Sequence, residues 1–453
     1  MEVTIERILP GGLGLAHAEG KTVMVALAAP GDRLRIQIDR VKGNVSFGRI
    51  QEILTPSPNR VEPPCPYFGR CGGCDFQQLS YEAQLAAKLE IIKDCLRRIG
   101  SIETIPDFEI TPAPNQWHYR SRAQWQYDAI RQRLGYFESG SRRVCDVAAC
   151  AVLVPELQQM LSSLRERMQD GSLPEDTRDV RALAGNEGVS IALNCVSTPT
   201  NRGPQAGSPP GVVDREGSKG RGSSPTVREG SKEQGSSPTV RVGSDSSVEP
   251  EEVRKVTRSI HGETYALNAE SFFQTNDDLL SALIDAALSG ASGEVAVELY
   301  CGVGLFTIPL ARRFARVIGV EDDTSAADFA RVNLANAGLT NAKIANEDVS
   351  DWLKENLECG DLSPLSEKRR PIDALEHPDF LLLDPPRTGA ESRVITGILG
   401  VRPQKICYVS CDPATLARDL KKLISGGYTL DSLAAFDMFP QTHHVETIVR
   451  LTG

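Results

Sequence analysis

Cys411 follows an apolar run, KICYVS (405–410), and precedes Asp412-Pro413. Most cysteines in such company are buried structural residues, but one at a strand exit is placed to act as a nucleophile. Glu446 falls within VETIV (445–449), where a carboxylate is unfavourable unless it is paired or functional. Asp384 ends the run FLLLD and precedes Pro385-Pro386; the prolines stiffen the exit and stop a regular helix from continuing through it. A thiol and a carboxylate at strand exits, with a second carboxylate inside a strand, point to covalent catalysis with proton removal. A second group is Cys65-x₅-Cys71-x₂-Cys74 with Gly72-Gly73 between two of its members, a knuckle that one remote cysteine completes. Spacing alone leaves zinc and an iron–sulfur cluster both open.

VELYCGVG (297–304) puts a carboxylate, Glu298, in an apolar strand ahead of Gly302 and Gly304. Two glycines there let the backbone approach a ligand at the strand's carboxyl end. Position 307 is Thr, so the third glycine of a dinucleotide fingerprint is missing and NAD is disfavoured. The arrangement is instead the usual opening of an S-adenosylmethionine pocket. Glu321, after the strand VIGV, can accept both ribose hydroxyls, although Asp322, Asp323 and Thr324 also suit a helix start. Methylases of amine nitrogens carry an aromatic residue after Asp-Pro-Pro or Asn-Pro-Pro; Arg387 stands there in this chain. One methylation requires both Cys411 and Glu446. Carbon 5 of uracil is a poor nucleophile until a thiolate adds to carbon 6, and a base must then remove the carbon-5 proton.

These residues need a scaffold. From Val295 onward strands and helices alternate, which implies a parallel sheet covered by helices. The first 55 residues read as short strands, Val3–Ile8, Lys21–Ala26, Arg33–Arg40 and Asn44–Ile50, between glycine and proline turns. Even spacing of this kind suggests a small barrel of the OB type. Tyr81 to Ile99 has helical spacing on one face, and residues 100–195 mix strands and helices. From about Ser197 to Glu252 the chain is Gly, Ser, Pro and charge, with GSSPTVR at 222–228 repeated at 235–241. Such a segment has too little apolar surface to offset its ordering entropy and reads as a disordered insertion. Residues 358–377 read as a second, surface insertion.

Length of 453 residues implies several domains. No apolar run is long enough for a membrane span, and Met1–Pro10 carries no secretory pattern. Eleven cysteines without a signal peptide argue for metal ligation or catalysis over disulfides. A net charge of −10 opposes phosphate binding in general, yet Arg120, Arg122, Arg131, Arg133, Arg142 and Arg143 crowd between Trp117 and Arg143. Their interleaving with Trp117, Tyr119, Trp125, Tyr127, Tyr136 and Phe137 suggests an RNA surface, with some of the aromatics in the core.

The C-terminal half resembles the RNA 5-methyluridine methyltransferases, in YCGVG, LLLDPPRTG, SCDPATLARDL and HHVETIVRL. The resemblance extends over nearly the whole chain apart from the two insertions. It implies a TRAM domain of OB-like barrel type over 1–55, and a central α+β domain over 56–195 with 253–265. A disordered insertion at 197–252 and a Rossmann-like α/β methyltransferase domain over 266–453 complete it. It implies Cys411 as nucleophile and Glu446 as proton acceptor, with Gln274, Tyr300, Glu321 and Asp384 contacting S-adenosylmethionine. CPYFGRCGGCDFQ is similar to the family's cluster-binding segment, so Cys65, Cys71, Cys74 and Cys150 are the implied ligands of a [4Fe–4S] cluster, with Cys145 a rival to Cys150. Two positions depart from the family pattern: Glu298 stands where Asp is usual and Ala151 where Pro is usual. The expected partner is ribosomal RNA, with 23S preferred, or transfer RNA. A cytoplasmic monomer with no membrane partner is expected.

Overall fold

The computed structural model describes residues 1–195, 252–358 and 377–453. The disordered insertion read at 197–252, Glu252 excepted, and nearly all of the second insertion lie outside those residues.

Six strands form the N-terminal sheet, in the order Glu2–Thr4, Arg33–Lys42, Val45–Thr55, Lys21–Val25, Gly14–Ala18, Arg7–Ile8. Val3–Ile8 is two strands rather than one. The chain breaks at Ile5, which gives its N–H to the Asp32 carbonyl and takes the Gly31 N–H on its own. Gly14–Ala18, poor in β-branched residues, gave no strand signal. No ladder joins Glu2–Thr4 to Arg7–Ile8, so the expected barrel is not closed among the described residues.

The central sheet runs Val144–Asp146, Arg133–Phe137, Arg122–Asp128, Thr177–Gly185, Gly188–Cys195, Glu252–Val253. Leu157, Met160, Leu161, Leu164 and Met168, on one face of helix Pro155–Gln169, pack on it around Trp125. Three of the six aromatics read as base-stacking candidates, Tyr119, Trp125 and Tyr127, are buried, whereas Phe137 is 41% exposed.

The C-terminal sheet has the order Ala342–Asn346, Phe314–Glu321, Gly293–Leu299, Phe380–Leu383, Lys405–Ser410, Glu446–Thr452, Thr429–Phe436, Ile110–Thr111. Its first five strands are parallel, as near-continuous apolar runs buried on both faces require. Glu446–Thr452 then inserts antiparallel between Lys405–Ser410 and Thr429–Phe436. Two elements from earlier in the chain join this unit. Ile110–Thr111 pairs with Ala435 and Phe436. Helix Tyr81–Arg98, capped by Ser80 at the Ala83 N–H, buries Ala87, Ile91, Ile92, Cys95 and Leu96 in a core shared with Leu299, Leu381, Leu416 and Val449. Among the described residues no helix is long and apolar enough to cross a membrane.

Candidate active site

Strand Lys405–Ser410 ends at Cys411, and its partner Glu446–Thr452 begins at Glu446. Ser410 faces Thr447 across the antiparallel ladder, so the next pair outward is Cys411 and Glu446. The strand therefore starts at the carboxylate rather than carrying it midway. Beside them the neighbouring strand Phe380–Leu383 delivers Asp384 and Arg387. Glu446 is 1% exposed, and neither carboxylate oxygen has a hydrogen-bond partner among the described residues. Burial, and then the charge of Asp384, push its pKa well above the carboxylate range, with Arg387 opposing. Burial raises the Cys411 thiol, the Glu446 charge raises it further, and Arg387 again opposes. One guanidinium thus favours the ionised form of both groups. Its Nη1 donates to His444 Nε2 at 3.3 Å, so His444 accepts there and carries its proton on Nδ1. Burial, helped by His443 and Arg387, keeps that imidazole neutral.

Of the four residues implied for cofactor contact, Tyr300, Glu321 and Asp384 lie at the carboxyl ends of adjoining strands, and Gln274 approaches from the segment 268–276. Gln274 Nε2 donates to Asp384 Oδ2 at 3.3 Å. Burial raises Asp384 to about 7, against the Gln274 hydrogen bond. Tyr300, with φ of 63°, turns the chain out of strand Gly293–Leu299. Gly302 follows with φ of 55°, where an L side chain is strained although the space is open. Its N–H donates to Glu321 Oε2 at 2.8 Å, and the Asp323 N–H donates to Oε1 at 2.9 Å. Burial raises Glu321 to about 7. Glu298 faces inward, accepts from Thr307 Oγ1 at 2.5 Å and is raised to about 8 by burial. Fixed backbone turns and three acids whose pKa values burial raises suit a cationic, ribose-bearing ligand.

Cys65, Cys71, Cys74 and Cys150 line one cavity with Tyr67, Arg120 and Tyr136. Cys145 does not line it; that thiol is buried and takes a hydrogen bond from Arg70 Nε at 3.3 Å. Burial raises Cys71 to about 11 and Cys74 to about 12. Among the described residues no group of three or more His, Cys, Asp or Glu side chains is arranged to hold a metal ion. The four thiols share a cavity without that convergence.

Three features were not read from the sequence. Phe272, two residues before Gln274, is 61% exposed, and the Arg122 guanidinium lies 5.6 Å from its ring centroid. Arg387 was noted only as the absence of an aromatic. Asp75 pairs with His443, 368 residues away in the chain; nothing local signals such a contact.

Fold and site together define a methyltransferase of the α/β class, carrying a further sheet at its N-terminal end and a cysteine-lined cavity between. Residues 247–453 match the family model for tRNA (uracil-5-)-methyltransferase, and residues 1–50 match the TRAM domain. A Thermotoga maritima protein described as an uncharacterized RNA methyltransferase is 31% identical, over 99% of this chain and 98% of its own length. The 23S rRNA (uracil(1939)-C(5))-methyltransferase of Pectobacterium atrosepticum is 31% identical, over 99% of this chain and 92% of its own. The fold is shared with the tRNA (uracil-54, C5)-methyltransferase of Pyrococcus abyssi, solved with S-adenosyl-L-homocysteine, at a TM-score of 0.66, 23% identity and full coverage of both chains. The chain belongs to the RNA (uracil-5-)-methyltransferase family and carries its TRAM domain.

Proposed function

We propose that this enzyme methylates carbon 5 of one uridine in 23S ribosomal RNA through a covalent adduct on Cys411. The observation that carries the reading is the pairing of Cys411 with Glu446 at facing strand ends, beside Asp384 and Arg387. The Cys411 thiol first loses its proton to solvent, an ionisation the Arg387 charge assists. The thiolate adds to carbon 6 of a uridine turned out of its stack, and the displaced π pair makes carbon 5 nucleophilic. S-adenosylmethionine, when bound, supplies the methyl group to that carbon and leaves as S-adenosylhomocysteine. Glu446 then takes the carbon-5 proton, the ring double bond re-forms, and the carbon–sulfur bond breaks to return the thiolate. Glu321, Gln274, Tyr300 and Asp384 hold the methyl donor. Exposed Phe272, with Arg122 over it, offers a stacking face for a nucleotide. The preference for 23S rather than transfer RNA is supported by the name of the Pectobacterium relative. An RNA substrate implies a cytoplasmic site of action, and the chemistry is complete within one copy of the chain.

RNA carrying 5-fluorouridine tests the mechanism, because fluorine cannot leave as a proton does. The methylated adduct should persist through denaturing electrophoresis, and Cys411→Ala should abolish adduct and turnover together. Glu446→Gln should methylate but stall, accumulating adduct on ordinary RNA. Methylation retained by Cys411→Ala would falsify the nucleophile assignment. Mapping 5-methyluridine in RNA from a deletion strain identifies the target; loss from transfer RNA alone would reject the ribosomal reading.

The cysteine cavity fits a thiolate-bound group in its chemistry. Burial alone holds Cys71 and Cys74 protonated, so thiolates there require a positive partner. Cys65, Cys71, Cys74 and Cys150 would hold a [4Fe–4S] cluster, whose role is structural or RNA-orienting because no redox step occurs. Anaerobically purified protein should be brown, absorbing near ~400 nm as thiolate-bound iron does. Replacing any of the four cysteines should bleach it, and stoichiometric zinc without iron would reject the cluster.

A further inference from the structure

With neither carboxylate oxygen of Glu446 hydrogen-bonded among the described residues, no donor holds that side chain. Its place is set by its own main chain, which enters the strand from the turn 437–445. That turn is gripped by the cysteine-bearing segment. The Asp75 and Phe76 N–H groups donate to the Gln441 carbonyl at 3.1 and 3.0 Å. The Asp75 carboxylate accepts the His443 N–H at 2.9 Å and pairs with His443 Nδ1. From helix Tyr81–Arg98, Gln84 Oε1 accepts the Gln441 N–H at 2.9 Å, and Lys88 Nζ donates to the Phe439 carbonyl at 3.0 Å. Gln441 has φ of 69°, a conformation a non-glycine residue keeps only where its surroundings impose it. The N-terminal unit closes over the same spot. A Cβ on Gly12 would lie 2.8 Å from Asp75 Oδ2 and 3.3 Å from His443 Nδ1.

From this junction we infer that Asp75 and His443 are positioning residues for proton removal, coupling the cysteine segment to the placement of Glu446. The inference rests on Glu446 being the proton acceptor. Asp75 directly follows Cys74, so a disturbance of the cysteine cavity reaches the turn that leads into the base through one residue. Cys411 leaves a different strand, and the turn reaches it only indirectly, through the Arg387–His444 contact. Loosening the turn should therefore slow the last step selectively. The carbon–sulfur bond has formed and the methyl group has arrived, but the carbon-5 proton stays and the thiolate cannot leave.

The test compares Asp75→Ala, His443→Ala, His443→Gln and Glu446→Gln in the full-length protein on ordinary RNA. A base displaced by about 1 Å slows its step up to about 100-fold. Both alanine variants should show kcat lowered roughly 10- to 100-fold, KM for RNA unchanged, and methylated adduct accumulating at steady state. His443→Gln retains a donor toward Asp75 and should recover most of the rate. Should Asp75→Ala fail to fold, His443→Ala decides, because it leaves the cysteine segment intact. Wild-type turnover in the alanine variants, or parallel loss of adduct and turnover, overturns the inference. Adduct accumulating in Glu446→Gln alone rejects the coupling and spares the base. No accumulation even there rejects both.

Discussion

Glu321 and Asp384 are two carboxyls that burial raises to about 7, and both are proposed to contact the methyl donor. A carboxyl raised in this way is neutral below its pKa and a full acceptor above it. Ribose hydroxyls and a cationic ligand favour the ionised form. Affinity for S-adenosylmethionine should thus be complete above about pH 7 and fall as pH drops through that value. Each group weakens binding up to about tenfold per unit below its pKa. Calorimetric titration at pH 6, 7 and 8 would read the slope, and Glu321→Gln should flatten it. An affinity independent of pH in the parent enzyme would mean that these acids do not titrate on binding. Glu321 has a second duty that sharpens the expectation, since its oxygens already fix the Gly302 and Asp323 N–H groups.

At the scale of elements, Lys88 and Asp437 tie helix Tyr81–Arg98 to the end of strand Thr429–Phe436. Both side chains are fully buried, and they pair directly. Burial pulls the Lys88 pKa down while Asp437 opposes. Removing one member leaves an uncompensated buried charge, so Lys88→Met should cost about 3–5 kcal/mol, and Lys88→Met with Asp437→Leu should recover most of it. Urea unfolding of both variants measures this; a loss below about 1 kcal/mol in the single variant would mean that water reaches the site. The helix itself was legible in the sequence, because its apolar spacing is local. Its place in the catalytic core was not, because that depends on partners such as Leu416 and Val449 far along the chain. The same division holds at the site. Strand exits at Asp384 and Cys411 could be read from apolar runs ending in Asp-Pro or Cys-Asp-Pro, whereas Glu446, read as lying within its strand, begins it instead. The antiparallel register that sets Cys411 against Glu446 could not, since register is fixed by pairing rather than composition. Aromatic interleaving misled for a similar reason. Alternation along strand Arg122–Asp128 puts Trp125 and Tyr127 on the buried face.

For the whole molecule, the chain flanking the long insertion imposes a length. Strand Gly188–Cys195 pairs in parallel with Glu252–Val253, Val189 facing Glu252. Cys195 lies six residues beyond Val189, so the chain must return roughly 20 Å to reach Glu252. Cutting out Pro199–Pro250 leaves four residues between Cys195 and Glu252, which span about 17 Å when extended. A bare excision should therefore break the Glu252–Val253 pairing. The same excision bridged by about eight Gly and Ser residues should retain methylation, as assayed by methyl incorporation into RNA. Loss of activity in a folded, bridged variant would assign the insertion a part in RNA binding.

Ile110–Thr111 carries a consequence for how this protein can be divided. Two residues from the first quarter of the chain complete the last margin of the catalytic sheet, against Ala435 and Phe436. A fragment beginning at residue 266 would lack them, and with them the helix that covers Val449 and Leu416. It would present open main-chain groups at Ala435 and Phe436 next to a bare apolar face, a template for another copy to add to. The catalytic sheet is interlocked with the earlier part of the chain rather than strung after it, and a 266–453 fragment expressed alone should aggregate.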